Sequence, residues 1–263
     1  LGVNIGTYKN KVDKLPNGND ILTNFANGTY LTRIGQTANL FYGQRTNGVY
    51  ATDAEAAASG LTIVNTAGLT VPFKGGDVRF VDTNGDRVIN AGDRVVIGDP
   101  NPDLFGSIRN SFGYKNWSLD VLVSFVAGND LYNYTRSVLE SGNSYYNQTD
   151  IMRNRWKGEG QITNVPRASY GDPMGNAQFS DRWIEDGSYL RLRTVNLTYN
   201  IPLKLKSIKY ARVYATANNL FTLTNYLGYD PEFSASGSIF MQGVDTTLEP
   251  QFRSVQLGVR IGL

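Results

Sequence analysis

Oxygen-bearing side chains recur at close spacing between Asp82 and Asp93, and binding of a hard cation is the first chemistry they could perform. Asp82, Asn84, Asp86, Asn90 and Asp93 fall at positions 1, 3, 5, 9 and 12 of a twelve-residue loop. Val88 falls at position 7, where a calcium loop of the EF-hand type supplies a backbone carbonyl. Ca²⁺ is therefore the cofactor to expect, with Asp82, Asn84, Asp86, Val88, Asn90 and Asp93 as its ligands. Against this, position 6 is Arg87 rather than glycine, and position 12 is Asp93 rather than the longer, bidentate Glu. The alternative is a polar turn whose Asx side chains accept hydrogen bonds from their own backbone.

A second group, Arg182, Glu185, Asp186, Arg191 and Arg193, invites an acid–base assignment. Two carboxylates close in sequence are not thereby a catalytic pair, because glycosidase carboxyls must face each other across a substrate. A salt-bridged loop base entering a strand accounts for the same residues, with Arg191 and Arg193 directed to a polar interior. Histidine and cysteine are both absent. Missing histidine removes Ser-His-Asp triads, the usual zinc sites and the commonest general base. Missing cysteine removes disulfide frameworks and thiolate chemistry. The sequence therefore points away from an enzyme and assigns no catalytic residues.

The elements that would carry these groups are strands. Trp117, Leu119, Val121, Val123 and Phe125 alternate with Ser118, Asp120 and Ser124, which is the period of an extended strand with one apolar face. Val255, Leu257, Val259, Ile261 and Leu263 alternate in the same way with Gln256, Gly258, Arg260 and Gly262. Val195, Leu197, Tyr199 and Ile201 do so too, but Leu190 and Leu192 lie on the opposite parity. A bulge or register change near Arg193-Thr194 follows. Segments 1–9, 34–50, 104–115 and 209–223 complete a set of about seven strands.

Connection lengths alternate. Lys115-Asn116 and Pro202–Lys206 are short turns, whereas roughly 50, 60 and 25 residues separate the other strands. Long structureless loops do not suit a compact soluble domain. Short turns on one side and long loops on the other are the habit of outer-membrane β-barrels, whose short turns are periplasmic. On this pattern 51–103, 128–187 and 225–250 are extracellular loops, Leu1 opens a strand descending from the outer face, and the C-terminus is periplasmic. An odd strand count with an extracellular start suggests an incomplete barrel; a missed strand around Ile21–Thr32 is the alternative. No apolar run is long enough for a transmembrane helix, which does not bear on barrel strands, since these are only half hydrophobic. A net charge of +2 gives no nucleic-acid signature.

Several segments resemble SusC/RagA-type TonB-dependent transporters of Bacteroidetes. They are Gly76–Asp86 (GDVRFVDTNGD), Asp93–Pro102 (DRVVIGDPNP), Phe179–Leu192 (FSDRWIEDGSYLRL), Asn218–Thr222 (NNLFT) and Gly228–Glu232 (GYDPE). Their order and spacing match across residues 30–263. The resemblance implies that residues 1–263 form the C-terminal portion of a large antiparallel transmembrane β-barrel of about 22 strands, a size class with a plugged lumen. It implies import of glycans or peptides across the outer membrane, with a SusD-like lipoprotein as lid and TonB acting through a plug that is absent from this sequence. Two residues depart from the family pattern: Leu263 replaces the usual terminal aromatic, and Arg87 replaces the loop glycine.

Aromatics at strand ends, including Tyr114, Trp117, Tyr199 and Phe221, suit girdles at a membrane interface. Tyr132, Tyr134, Tyr145, Tyr146, Tyr170, Tyr226 and Tyr229 lie in loops and are the candidates for contacting cargo or lipoprotein. The Asn-X-Ser/Thr matches at Asn27, Asn116, Asn147 and Asn196 carry no meaning in a bacterial outer membrane. The competing class is a soluble or surface-attached all-β carbohydrate-binding module with a structural calcium loop. Such a sandwich would bury its apolar faces.

Overall fold

The computed structural model describes residues 1–203, 208–232, 234–235, 237–238 and 241–262. Its wall is an antiparallel sheet of β1 (Gly2–Gly6), β2 (Leu104–Tyr114), β3 (Trp117–Ala127), β4 (Tyr189–Ile201), β5 (Tyr210–Asn218), β6 (Thr222–Thr224) and β7 (Ser254–Gly262). The strands lie in the order β1-β2-β3-β4-β5-β7, and β6 takes over from β5 beside the first residues of β4. Cross-strand partners share a face, so the sequence alternation becomes rows. Phe112, Leu119, Leu197, Ala215 and Leu257 line up on one face; Ser111, Asp120, Asn196, Thr216 and Gln256 line up on the other.

Leu122 faces Thr194 whereas Val123 faces Leu192, so Arg193 is an extra residue in β4. The bulge sits where the parity change placed it. It keeps Leu190 and Leu192 on the same face as Val195 and Leu197, while Arg191 and Thr194 stay on the polar one. Gly258 and Gly262 in β7 allow a different adjustment. A Cβ at either would lie 2.3 Å from the ring of Tyr214 or Tyr210, respectively, so each ring occupies the side-chain space of its glycine partner.

The apolar face of the wall is bare. Leu257 is 80 % exposed and Phe112 is 56 % exposed, although both stand in regular strands. The buried core lies elsewhere, in the segments that leave one end of the strands. Tyr50, Ala56, Ile63, Phe73, Val78, Phe80 and Ile89 form one cluster, and Tyr30, Phe41, Tyr132, Trp183 and Val244 form another. Short sheets frame them: Val95–Gly98 with Leu40–Gly43, Gly28–Thr32 and Ile21–Phe25, and Ile184–Asp186 with Asp130–Asn133 and Val244–Asp245. The helix Asp53–Ser59 is capped by Thr52, whose hydroxyl accepts from the Glu55 N–H at 3.0 Å, and ends at Gly60 with φ +64°.

Four expectations are corrected. Segment 34–50 is not a wall strand: Leu40–Gly43 and Thr46–Val49 pair within the cap, and β1 pairs directly with β2. The hairpin Ile21–Phe25/Gly28–Thr32 likewise belongs to the cap, so the first long connection runs over 7–103. Strand-like composition does not name a strand's partner, so it could not separate these segments from the wall; Gly28–Thr32 is buried on both faces instead of one. The direction of β1 is reversed as well: being antiparallel to β2, it climbs toward the cap. Finally, the long connections are folded rather than structureless. Leu263 and part of the Pro202–Lys206 turn lie outside the described residues.

The two faces should respond oppositely to charge. Leu257→Lys is expected to cost about 2–4 kcal/mol in the lipid-embedded protein, whereas Gln256→Lys costs close to nothing. Reversible unfolding of the intact protein in bilayers measures the difference, and equal effects would contradict the assignment of faces.

Candidate functional site: an arginine-fastened cap

The described part of 225–250 is held to the wall by two arginines of β4. Arg191 and Asp230 are almost wholly buried, each with a side chain only 3 % exposed, and the guanidinium donates to the carboxylate. A second Arg191 nitrogen donates to Glu232 at 2.7 Å, and its Nε donates to the Thr222 hydroxyl at 2.9 Å. Arg193 reaches the other Glu232 oxygen and donates through Nε to Ser124 at 2.9 Å. The bulge lets Arg193 share the polar side with its neighbour Thr194, which a regular strand would place on opposite faces. Asp230 also accepts the Glu232 and Gln251 backbone N–H groups, at 3.0 and 3.1 Å. Its buried charge is thereby met from three directions, the condition under which a buried pair is tolerated.

Two further joints fasten the cap to itself. Glu185 receives Arg136 on one oxygen and the Leu227 N–H, at 2.8 Å, on the other. Arg136 and Arg182 flank the buried Trp183 ring, with guanidinium carbons 5.3 and 5.4 Å from the ring. Burial holds Arg182 below the usual guanidinium range, reinforced by the neighbouring Arg136 charge. Burial also raises Glu140 above the usual carboxylate range, against the attraction of Arg136. The third joint centres on the fully buried Asp77, which takes Arg167 at 2.9 Å and the Asn176 amide at 3.1 Å. Arg182, Glu185, Arg191 and Arg193 are thus structural. Asp186 caps its own turn, accepting from the Ser188 N–H at 2.8 Å.

The Asp82–Asp93 loop turns its oxygens on its own backbone. Asp82 accepts the Gly85 and Arg87 N–H groups at 2.7 and 2.9 Å, Asn84 accepts Asp86 at 2.9 Å, and Asp86 accepts Val88 at 2.7 Å. Asp93, fully buried, accepts Thr83 and Asn90 at 2.9 Å each. Asn90 accepts Gly92 at 2.6 Å, and its amide donates to the Val88 carbonyl at 2.9 Å. Among the described residues no three His, Cys, Asp or Glu side chains approach closely enough to share an ion. The loop oxygens are arranged as in the self-capping polar turn. Arg87 stands at φ +65°, in the left-handed region that favours glycine.

The loop tyrosines divide. Tyr132 and Tyr226 are buried, so their expected role as contact residues is withdrawn; Tyr134 is half-buried. Tyr132 belongs to the second core cluster, where burial pushes its phenol up to about 12, and its hydroxyl meets Ser137 at 3.2 Å. The Tyr226 hydroxyl donates to Asp245 at 2.8 Å. Tyr145, Tyr146, Tyr170 and Tyr229 remain exposed, and Tyr145 stacks on Tyr170 with ring centres 5.0 Å apart. At the opposite end of the wall Trp117 and Tyr199 pack at 4.6 Å, with Tyr114 paired to Trp117. Phe221 lies near the cap instead.

An antiparallel wall with one bare apolar face, one polar face and a folded cap at one end defines a segment of a transmembrane β-barrel. No family model matches the chain. It is 33 % identical over 238 residues to TonB-dependent receptor P3 of Formosa agariphila, covering 87 % of this chain and 22 % of that protein. TonB-dependent receptor SusC of Bacteroides thetaiotaomicron is 27 % identical over 194 residues, or 69 % of this chain and 17 % of the relative. Among solved structures, the RagAB peptide importer in its open-open state aligns with a TM-score of 0.76 at 23 % identity, over 99 % of this chain and 26 % of the other. The RagAB peptide transporter aligns at 0.72 and 25 % identity, over 98 % of this chain and 26 % of the other. The chain belongs to the SusC/RagA-type TonB-dependent transporters, of whose length it spans about a quarter or less.

Removing one member of the buried pair is expected to cost far more than neutralising its partly exposed neighbour, Glu232. Arg191→Met should lower stability by about 3–5 kcal/mol by leaving Asp230 uncompensated, and should speed amide exchange at 226–232. Glu232→Gln should change both less. Hydrogen-exchange mass spectrometry of the intact transporter separates these outcomes. In the turn, Asp93→Ala should cost about 1–3 kcal/mol; a melting profile lowered by a calcium chelator would support Ca²⁺ as a ligand of the loop, and an unchanged profile would count against it.

Proposed function

We propose that this chain supplies wall strands and outward-facing loops to an importer of nutrient oligomers, glycans or peptides, and performs no chemistry itself. The observation that carries this is the inverted distribution of apolar residues: packed cores in the connections, bare apolar rows on the strands. A soluble sandwich would bury those rows, so the same observation argues against the carbohydrate-binding module. Lipid is the solvent suited to the interior strands of this sheet, whose backbone groups are paired on both sides and whose outer side chains are apolar.

In this reading the cap is extracellular and the Lys115-Asn116 turn is periplasmic, with β7 running inward. Tyr114, Trp117 and Tyr199 form part of the inner aromatic girdle. A SusD-like lipoprotein closes over the cap, where Tyr145, Tyr146, Tyr170 and Tyr229 are available to it or to cargo. TonB acts through parts of the protein beyond this chain. The arginine joints suit a cap that must keep its shape while a lid opens and closes on it.

Cysteine labelling tests the orientation, because the chain contains no cysteine. Tyr170→Cys and Tyr229→Cys in the full transporter should react with an impermeant maleimide on intact cells. Lys115→Cys should react only after the outer membrane is opened. The reverse pattern would overturn the topology, and release of the protein by carbonate without detergent would overturn the transporter reading.

A further inference from the structure

The cap holds a half-open cavity of about 390 Å³ that the arginine joints leave unexplained. Its volume falls in the range of small-molecule sites, roughly 300–1,000 Å³. Its described lining contains one cation, Arg94, and one carboxylate, Asp172, and the two form no ion pair. Asp172 is already committed: one oxygen accepts the Asn176 N–H at 2.7 Å and the other the Ala177 N–H at 2.8 Å. Burial also raises this carboxyl above the usual carboxylate range. Arg94 makes no side-chain hydrogen bond or ion pair within the described residues.

The spare hydrogen-bonding capacity is therefore weighted toward donors. Gln178 also lines the cavity, and its Nε2 is shut off from water without a partner, which is costly until an acceptor arrives. Asn27 and Ser144 bring uncommitted polar side chains that can give or take a hydrogen bond. Tyr42, Phe179 and the largely exposed Tyr146 add aromatic faces. An extended peptide finds no edge to join here. The lining strands Gly28–Thr32, Leu40–Gly43 and Asp130–Asn133 are each flanked on both sides within their short sheets, and strand addition needs a free edge. Recognition then falls to side chains alone. A sugar ring offers an apolar C–H face to the aromatics and hydroxyls to the amides, and an acid group on it would answer Arg94.

We propose that this cavity is a subsite for one acidic sugar unit, its carboxylate or sulfate held by Arg94 and its ring held among Tyr42, Phe179 and Tyr146. The inference rests on the importer reading and narrows its cargo from glycans or peptides to acidic glycans. Because the cavity is built wholly from the cap, the unit is bound before anything enters the barrel.

The test uses the full transporter, applied to an array of carboxylated, sulfated and neutral oligosaccharides and acidic peptides. The wild type should be retained on acidic glycans, and the carboxylated and sulfated members tell the two sources of anion apart. Arg94→Met should weaken that retention roughly 10- to 100-fold, the worth of a charge-assisted hydrogen bond, and Arg94→Lys should weaken it less. Arg94 has no ion pair in the cap, so Arg94→Met should melt with the wild type. Tyr146→Ala, at an exposed ring, is a second variant and should weaken retention too. Retention on neutral glycans or peptides alone, no retention on any acidic glycan, or full retention by Arg94→Met would overturn the proposal. Envelope fractionation keeps the two failures apart. Wild-type protein in the outer membrane that ignores acidic glycans loses only the subsite, whereas wild-type protein outside that membrane removes the importer reading beneath it.

Discussion

A sheet one residue thick has no interior, and the rest of this structure follows from that constraint. Each wall residue faces one side or the other, and each backbone amide can be satisfied only by the strand next to it. The apolar rows must therefore meet a solvent that tolerates them, and the polar rows must meet something else. Side-chain packing within the wall contributes little; its integrity lies in the ladder. Everything that packs in the manner of a soluble protein is displaced to the cap, where aromatic clusters support the short sheets.

The wall was legible because its physics is local. Period-2 alternation over Trp117–Phe125 and Val255–Leu263 marks both strand and face, and the parity change between Leu192 and Val195 places a bulge near Arg193-Thr194, where the register shifts. The cap was less legible because it depends on partners far apart in sequence. Leu40–Val49 has the residue types of a strand, and nothing local says that its partners are Gly28–Thr32, Val78–Phe80 and Val95–Gly98. Nor does a tyrosine in a loop announce its burial: Tyr226 is enclosed and Tyr229, three residues on, is bare. The polar turn at Asp82–Asp93 illustrates a different limit. The same oxygens at the same spacing suit a cation or the loop's own amides, and only their directions decide.

The segments that carry the family resemblance acquire a physical reason. Asp77, Glu185 and Asp230 each lie within one of them, and each is a buried carboxylate held by an arginine. Such pairs add modestly to net stability, but they are unforgiving of substitution on one side. Arg191 and Arg193 tie β4 to a stretch some forty residues later in the chain. The cap is therefore fixed in position by charge and in shape by aromatic packing.

The paired glycines and tyrosines of β5 and β7 have a consequence for clearance. Where Tyr214 covers Gly258 and Tyr210 covers Gly262, the rings lie along the wall instead of standing out from it. The inner surface is then only one ring deep, and the Arg212 guanidinium forms a second layer over Tyr210. Along this edge the bore is set by the thickness of stacked planes, not by the reach of extended side chains, and it can stay wide without losing its lining.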